Sequence, residues 1–134
     1  MIYLDHAATA PLRKEALHAM LPFLTENYGN PSAVYAAGRR ARQAVSQARR
    51  EIAETIGCLP EEIYFTSGGT EADNWALLAA AEAARQSGGM PFLLSTAIEH
   101  HAVLETLRYG GETGCLSYTL LPVSEDGMLM LSAL

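Results

Sequence analysis

The sequence FTSGGTEADN occupies residues 65–74 and decides how the second half of the chain folds. An aromatic residue leads into a glycine-rich turn and then into a helical composition, so we predict a strand end, a tight turn and a helix start. Two glycines let a ligand approach the backbone, and the free N–H groups of a first helical turn suit a phosphate. Ordinary capping by Ser67 or Thr70 with Glu71 explains the same residues equally well. The stretch is neither a P-loop nor a GxGxxG turn, because it lacks their spacing.

Strand-like runs alternate with helical ones around this turn. The strands are predicted at residues 63–65, 92–95 and 116–121, and the helices at 71–86 and 101–109. This β-α-β-α-β order is typical of a mainly parallel sheet flanked by helices, so the predicted fold class is α/β. Residues 124–127 predict a turn, and 128–134 predict the start of another element.

The first half of the chain predicts two helices. Apolar residues recur at three- and four-residue steps over residues 13–26, where Pro22 is expected to kink the helix or end it early. A polar turn at 28–32 separates this helix from a longer one at 36–56, for which Gly57 provides a stop.

Composition limits the possible functions. The 134 residues are 49% apolar and 18% charged, as in a globular domain. A net charge of −6 argues against nucleic-acid and membrane partners, since both need a basic face. Cys58 and Cys115 lack the spacing of a zinc site or a disulfide framework, and the N-terminus lacks the pattern of a signal peptide. We therefore expect a cytoplasmic protein, and we note that Lys14 is its one lysine.

Three other segments hold candidate functional residues. The sequence STAIEHHAV at 95–103 follows a predicted strand, at the edge of the sheet where ligands gather. Only one of His100 and His101 is expected to face a site, and their spacing does not fit a metal site. The segments LDHAATAP at 4–11 and GNPS at 29–32 contain turn-forming and small residues that specify no reaction by themselves.

These segments together resemble a known family. YLDHAAT at 3–9, GNPS at 29–32, GRRAR at 38–42, IYFTSGGTEADN at 63–74 and EHHAVL at 99–104 are similar, in order and spacing, to the N-terminal part of the cysteine desulfurases. The cysteine desulfurases are pyridoxal-phosphate enzymes of the class V aminotransferase family with the fold type I architecture. The resemblance covers essentially the whole chain, although Ala10 and Tyr35 depart from the family's more frequent threonine and histidine.

The resemblance implies roles for five residues. Gly69 and Thr70 would lie at the cofactor phosphate. His100 would stack on the pyridine ring and is a candidate for proton transfer. Ala8 and Asn30 would border the substrate pocket. No metal ligand is implied.

The resemblance also implies an activity and partners. The substrate would be L-cysteine, which is converted to L-alanine while its sulfur passes to an enzyme cysteine as a persulfide. A sulfur-acceptor protein such as an iron-sulfur scaffold would take that sulfur, for iron-sulfur clusters or thio-cofactors. The enzyme would be a homodimer. Selenocysteine lyase, or another carbon–sulfur lyase of class V, is an alternative, and a non-catalytic phosphate-binding α/β module is an alternative of another class.

Neither the lysine nor the cysteines match the family's reactive groups. Lys14 lies at the start of the first predicted helix, and neither Cys58 nor Cys115 matches the sulfur-accepting cysteine. We therefore expect an N-terminal piece of a longer enzyme that is inactive alone. Its residues 1–60 would be an N-terminal segment and helices leading into the large domain, and 61–134 would be the first part of the cofactor-binding domain.

Overall fold

The computed structural model describes residues 2–130 and 132. These residues form two compact units, which divide between Tyr64 and Phe65. In the part of the chain so described, no helix is long and apolar enough to cross a membrane.

The first unit contains helices α1 (Lys14–Thr25) and α2 (Ala36–Ile56), followed by a 3₁₀ turn at Pro60–Glu62. Helix α2 has the predicted bounds. It ends at Gly57, whose positive φ of 74° provides the expected stop, and the N–H groups of Gly57 and Cys58 both donate to the Ala53 carbonyl.

Pro22 does not end α1 early. The helix continues three residues past it, to Thr25. The Pro22 carbonyl then accepts from the N–H groups of Glu26 and Asn27, at 2.9 and 2.7 Å, so the proline takes part in the helix end through its acceptor. No residue of α1 is buried.

The second unit contains α3 (Gly69–Gln86), β1 (Phe92–Thr96), α4 (His101–Glu112) and β2 (Ser117–Leu121). The two strands pair in parallel, with Phe92 opposite Ser117 and Thr96 opposite Leu121. Helix α4 provides the crossover between them, and α3 packs against α4. The core consists of Ala81, Leu107 and Leu116, with Leu93, Val103 and Tyr118 packed around them. The α/β class with a parallel sheet is therefore confirmed.

The predicted strand at residues 63–65 is wrong. Ile63 has extended backbone angles, but the ladder of β1 and β2 is the one strand pairing in the described residues. The Ile63 carbonyl accepts from Arg49 Nε at 3.1 Å instead of from a neighbouring strand. Apolar and aromatic composition favours an extended backbone, but a strand also needs a partner strand.

Helix α4 continues to Glu112, three residues past its predicted end, because Gly110 packs inside the helix and does not end it. A Cβ on Gly110 would lie 2.6 Å from Cγ of Leu116, a core residue, so glycine is needed there for close approach. The chain turns later, at Gly114, where φ is 70°. The predicted turn at 124–127 is present, with the Gly127 N–H donating to the Ser124 carbonyl. An antiparallel bridge follows between Val123 and Leu129, while residues 131, 133 and 134 of the predicted last element lie outside the described residues.

Candidate cofactor site

The turn before α3 is closed by a carboxylate. The backbone N–H of Ser67 and its hydroxyl both donate to Glu71 Oε2, at 2.6 and 2.7 Å. These two hydrogen bonds, the backbone one first, lower the pKa of Glu71 below its ordinary value. The N-cap of α3 is Gly68 and no side chain caps it, so the alternative of ordinary capping by Ser67 or Thr70 is wrong. Glu71 instead binds Ser67, the residue before the N-cap.

Two amides of the same turn remain available to a ligand. The N–H groups of Gly69 and Thr70 lie in the first turn of α3, where no carbonyl of the helix can accept from them. They have no acceptor among the described residues. A Cβ built on Gly68 or Gly69 would meet nothing within 4 Å, so the space above this backbone is open. The Ser67–Glu71 hydrogen bonds leave these two N–H groups unused, and the site fits the phosphate of pyridoxal phosphate.

His100 is the N-cap of α4 and follows the carboxyl end of β1. Its Nδ1 accepts from the N–H of Ala102 at 3.1 Å, which fixes the ring against the helix end. The ring of His101 is 6.2 Å away, centroid to centroid, and tilted by 59°. Both histidines line the cavity described next, so the expectation that only one of them would face a site is wrong. His100 precedes α4 with extended backbone angles, so the side-chain directions of a single regular element do not apply to the pair. His100 is the one that the helix end holds by a hydrogen bond.

One open cavity of about 410 Å³ brings Thr70 and His100 together. This volume is within the range of small-molecule sites. The other lining residues are Asn74, His101, Ala102, Glu105, Thr106 and Tyr109. Gly69 precedes Thr70 in the chain but does not line the cavity.

Sequence reasoning missed two polar residues of this cavity. Asn74 stood inside the quoted motif without a role, and Thr106 lay within a predicted helix. Thr106 is only 4% exposed, and its hydroxyl contacts both Asn74 Oδ1 and the Ala102 carbonyl. A threonine four residues after Ala102, on the face of α4 that packs inward, was the available signal.

Ala8 and Asn30 belong to the first unit. The N–H of Ala8 donates to the Asp5 carbonyl at 3.2 Å within a turn. Asn30 Oδ1 accepts from the Ser32 N–H at 2.9 Å, and the Asn30 carbonyl accepts from Ala33 at 3.0 Å. Asn30 thus shapes its own loop, as asparagine commonly does in turns.

Helix α2 holds that loop in place. Arg42 donates from Nε to the Pro31 carbonyl at 2.8 Å and from Nη2 to the Ala33 carbonyl at 3.2 Å. Gly38 is buried, and a Cβ there would lie 2.7 Å from the Asn30 carbonyl oxygen and 2.4 Å from that of Ala33. The GRRAR segment therefore supports the loop that contains Asn30.

The lysine and the two cysteines, which match no reactive group of the family, do not line this cavity. Lys14 is the first residue of α1. Cys58 and Cys115 are free thiols, and hydrogen bonds from Thr113 and Arg85 lower the pKa of the Cys115 thiol. Among the described residues, no group of three or more His, Cys, Asp or Glu could hold a metal ion.

Comparison with known proteins identifies the family. The aminotransferase class-V model matches residues 2–134. Cysteine desulfurase IscS of Methanosarcina thermophila is 46% identical over 128 residues, which cover 96% of this chain and 31% of that protein. A solved NifS-like protein matches with a TM-score of 0.88 at 35% identity, over 98% of this chain and 35% of its own. SspA in complex with cysteine matches with a TM-score of 0.78 at 35% identity, over 90% and 34%.

The chain spans about a third of the length of the relatives it matches. The solved neighbours confirm the expected architecture, that of the N-terminal portion of a fold type I transferase. Enzymes of this class use pyridoxal phosphate, as the resemblance implied. The chain belongs to the aminotransferase class-V family, within which it resembles the cysteine desulfurases.

Proposed function

We propose that this chain provides the phosphate- and ring-binding part of a pyridoxal-phosphate-dependent cysteine desulfurase. The observation that carries the proposal is the single cavity lined by Thr70 and His100, each at a helix N-terminus. The cysteine desulfurase relatives support the choice of activity within the family.

The phosphate would be held by backbone and hydroxyl donors. The N–H groups of Gly69 and Thr70, with the Thr70 hydroxyl, provide neutral donors, and the N-terminus of the 18-residue α3 adds partial positive charge. The Ser67 hydroxyl does not join them in this conformation, because its hydrogen bond goes to Glu71.

His100 would face the cofactor ring. Because its Nδ1 accepts a hydrogen bond, that nitrogen carries no proton, and a neutral ring holds its proton on Nε2. The imidazole therefore presents a flat neutral face for stacking. Pyridoxal phosphate supplies the electron sink for reactions at the substrate's α-carbon when bound.

The resemblance supports a substrate role for two residues of the first unit. Ala8 and Asn30 would border the pocket for L-cysteine. The products are L-alanine and a persulfide, formed when an enzyme thiolate attacks the substrate sulfur and the carbon–sulfur bond breaks. SspA has been solved in complex with cysteine, which favours cysteine over selenocysteine as the substrate.

The wider assignments rest on the same resemblance. We propose a homodimer that passes sulfur to an acceptor such as an iron-sulfur scaffold protein. A cytoplasmic location is supported by the two free thiols, Cys58 and Cys115, since thiols persist in a reducing compartment.

A binding experiment tests the cofactor assignment without depending on turnover. Pyridoxamine 5′-phosphate, which has no aldehyde to react with Lys14, is titrated into ¹⁵N-labelled chain. We expect amide shifts at Gly69 and Thr70 and ring shifts at His100, with much smaller shifts from pyridoxamine, which lacks the phosphate.

Two substitutions at one position sharpen this test. Gly69→Pro removes an N–H donor at the first helical position, where proline is well tolerated, and should weaken pyridoxamine 5′-phosphate binding about tenfold. Gly69→Ala keeps the N–H and places its Cβ in open space, so it is the matched control. Equal affinity of the proline variant and the wild type would refute the phosphate assignment, and saturable binding without shifts at His100 would favour the non-catalytic phosphate-binding module.

A further inference from the structure

The side-chain amide of Asn74 joins the two helices that carry the proposed cofactor residues. Its Nδ2 donates to the Thr70 carbonyl at 2.7 Å and lies 3.5 Å from the Ala102 carbonyl oxygen. Its Oδ1 accepts from the Thr106 hydroxyl at 2.6 Å. Because carbonyls only accept and this hydroxyl donates, the three contacts fix the orientation of the amide.

Both ends of this network lie next to a proposed cofactor contact. Thr70 carries the N–H assigned to the phosphate, and Asn74 lies one helical turn after it in α3. Ala102 donates its N–H to His100 Nδ1, and Thr106 lies one turn after it in α4. The Thr106 hydroxyl also lies 2.7 Å from the Ala102 carbonyl oxygen.

Because these contacts are shielded from water, they favour one spacing of α3 and α4 more strongly than a surface hydrogen bond would. Thr106 is the one buried polar residue among the described residues, at 4% exposure, and Asn74 is half-buried. A change in the spacing of α3 and α4 would leave Asn74 Oδ1 without its donor at a half-buried position, whereas the Thr106 hydroxyl would keep the Ala102 carbonyl and Asn74 Nδ2 the Thr70 carbonyl. Leaving a shielded acceptor unpaired costs more than the bond itself contributes.

We propose that Asn74, held by Thr106, is a positioning residue that sets the spacing between the phosphate-binding turn at Thr70 and the ring of His100. The inference rests on the proposed function for the roles of those two groups. A cofactor that joins a phosphate to an aromatic ring by a short linker limits the distance between the two groups, so its two contacts must lie within that reach at the same time.

The first experiment measures the spacing without any ligand. Nuclear Overhauser effects between protons of α3 and α4 give the distances between the two helices in the wild type, in Asn74→Ala and in Thr106→Val. We expect both variants to change those distances, and we expect Thr106→Ser, which keeps the hydroxyl, to restore the wild-type values. Unchanged distances in both Asn74→Ala and Thr106→Val would overturn the inference.

The second experiment compares two probes, inorganic phosphate and pyridoxamine 5′-phosphate. Phosphate contacts only the turn, so Asn74→Ala should bind it as the wild type does. Pyridoxamine 5′-phosphate needs both contacts, so its affinity should fall about tenfold, and the shifts at His100 should be lost while those at Gly69 and Thr70 persist. Thr106→Val should behave similarly, with Thr106→Ser as the rescue.

The outcomes separate this inference from the proposed function. Equal losses for both probes would show a merely structural role for Asn74, and no loss for either would show no role; both results overturn the inference. Failure of the wild type to bind pyridoxamine 5′-phosphate more tightly than phosphate would refute the proposed function, and the interhelical distances alone would then decide whether Asn74 sets the spacing.

Discussion

The two units hold their functional segments by different chemistry. In the first unit, guanidinium groups of α2 reach the carbonyls of the loop that contains Asn30. In the second unit, the turn and His100 are held by amide, hydroxyl and carboxylate groups at helix N-termini. Arginine is the stronger anion ligand, yet the proposed phosphate site lies in the unit that uses none there.

The two units also differ in net charge. The first unit has seven basic and seven acidic residues, and the second has two basic and eight acidic residues, so the net charge of −6 belongs to residues 65–134. Arg108 pairs with Glu105 and Glu112, and Arg85 pairs with Glu82. Both arginines of the second unit are thus neutralised locally, and backbone N–H groups are left as its phosphate donors. The comparison teaches that an acidic unit can still offer an anion site when the donors are backbone amides.

Among the substitutions that test this comparison, replacement of Gly38 should change the free energy of unfolding most. A Cβ there meets two backbone carbonyl oxygens, which cannot rotate away, so we expect Gly38→Ala to lower the free energy of unfolding by about 2 kcal/mol. Urea unfolding of both variants measures this, with Gly69→Ala in the second unit as the control, because its Cβ meets nothing. If Gly38→Ala were as stable as the wild type, the loop would not depend on close approach to α2.

Removing the Arg42 side chain should lower the free energy of unfolding by less. Arg42→Ala deletes the donors to the Pro31 and Ala33 carbonyls, and because the side chain is exposed we expect a loss of about 1 kcal/mol. Hydrogen exchange at the amides of residues 32–34 should accelerate. Arg40→Ala is the matched control, since the Arg40 side chain has no hydrogen bond among the described residues. The same acceleration in both variants would show that general charge, and not the two bonds, holds the loop.

The smallest effect is the loss of stability at low pH that we expect from the turn of the second unit. The folded-state pKa of Glu71 is lowered, so its stabilising contribution is complete above the ordinary glutamate pKa and is lost as the pH falls through the lowered value. A ¹³C carboxyl titration should show this low midpoint, and Ser67→Ala, which keeps the backbone bond, should raise it partway. An ordinary midpoint in the wild type would contradict the two hydrogen bonds from Ser67 to Glu71.

Sequence patterns predicted the elements whose causes are local. Helix α2 and its stop at Gly57 depend on periodicity and on one glycine conformation, and both were predicted correctly. The strand at 63–65 was not, because a strand depends on a partner that composition does not reveal. The end of α4 was predicted at residue 109, three residues early, for the same kind of reason, since Gly110 packs against Leu116, which lies beyond the helix.

Sequence patterns likewise predicted only part of the candidate site. The motifs brought Gly69, Thr70 and His100 to attention, and the shared cavity places Thr70 and His100 together. Asn74 and Thr106 were missed because their importance is a contact between two helices, 32 positions apart in sequence. Propensity and spacing describe one element at a time, whereas such contacts depend on packing.

The cap that His100 provides to α4 gives one side chain two tasks. Its Nδ1 satisfies the Ala102 N–H, one of the donors that the first turn of a helix leaves without a backbone acceptor. Replacing the histidine by alanine would therefore remove the ring and the side-chain cap together. A His100→Asn variant keeps a side-chain acceptor at the cap position, so it would separate loss of the ring from loss of the helix end.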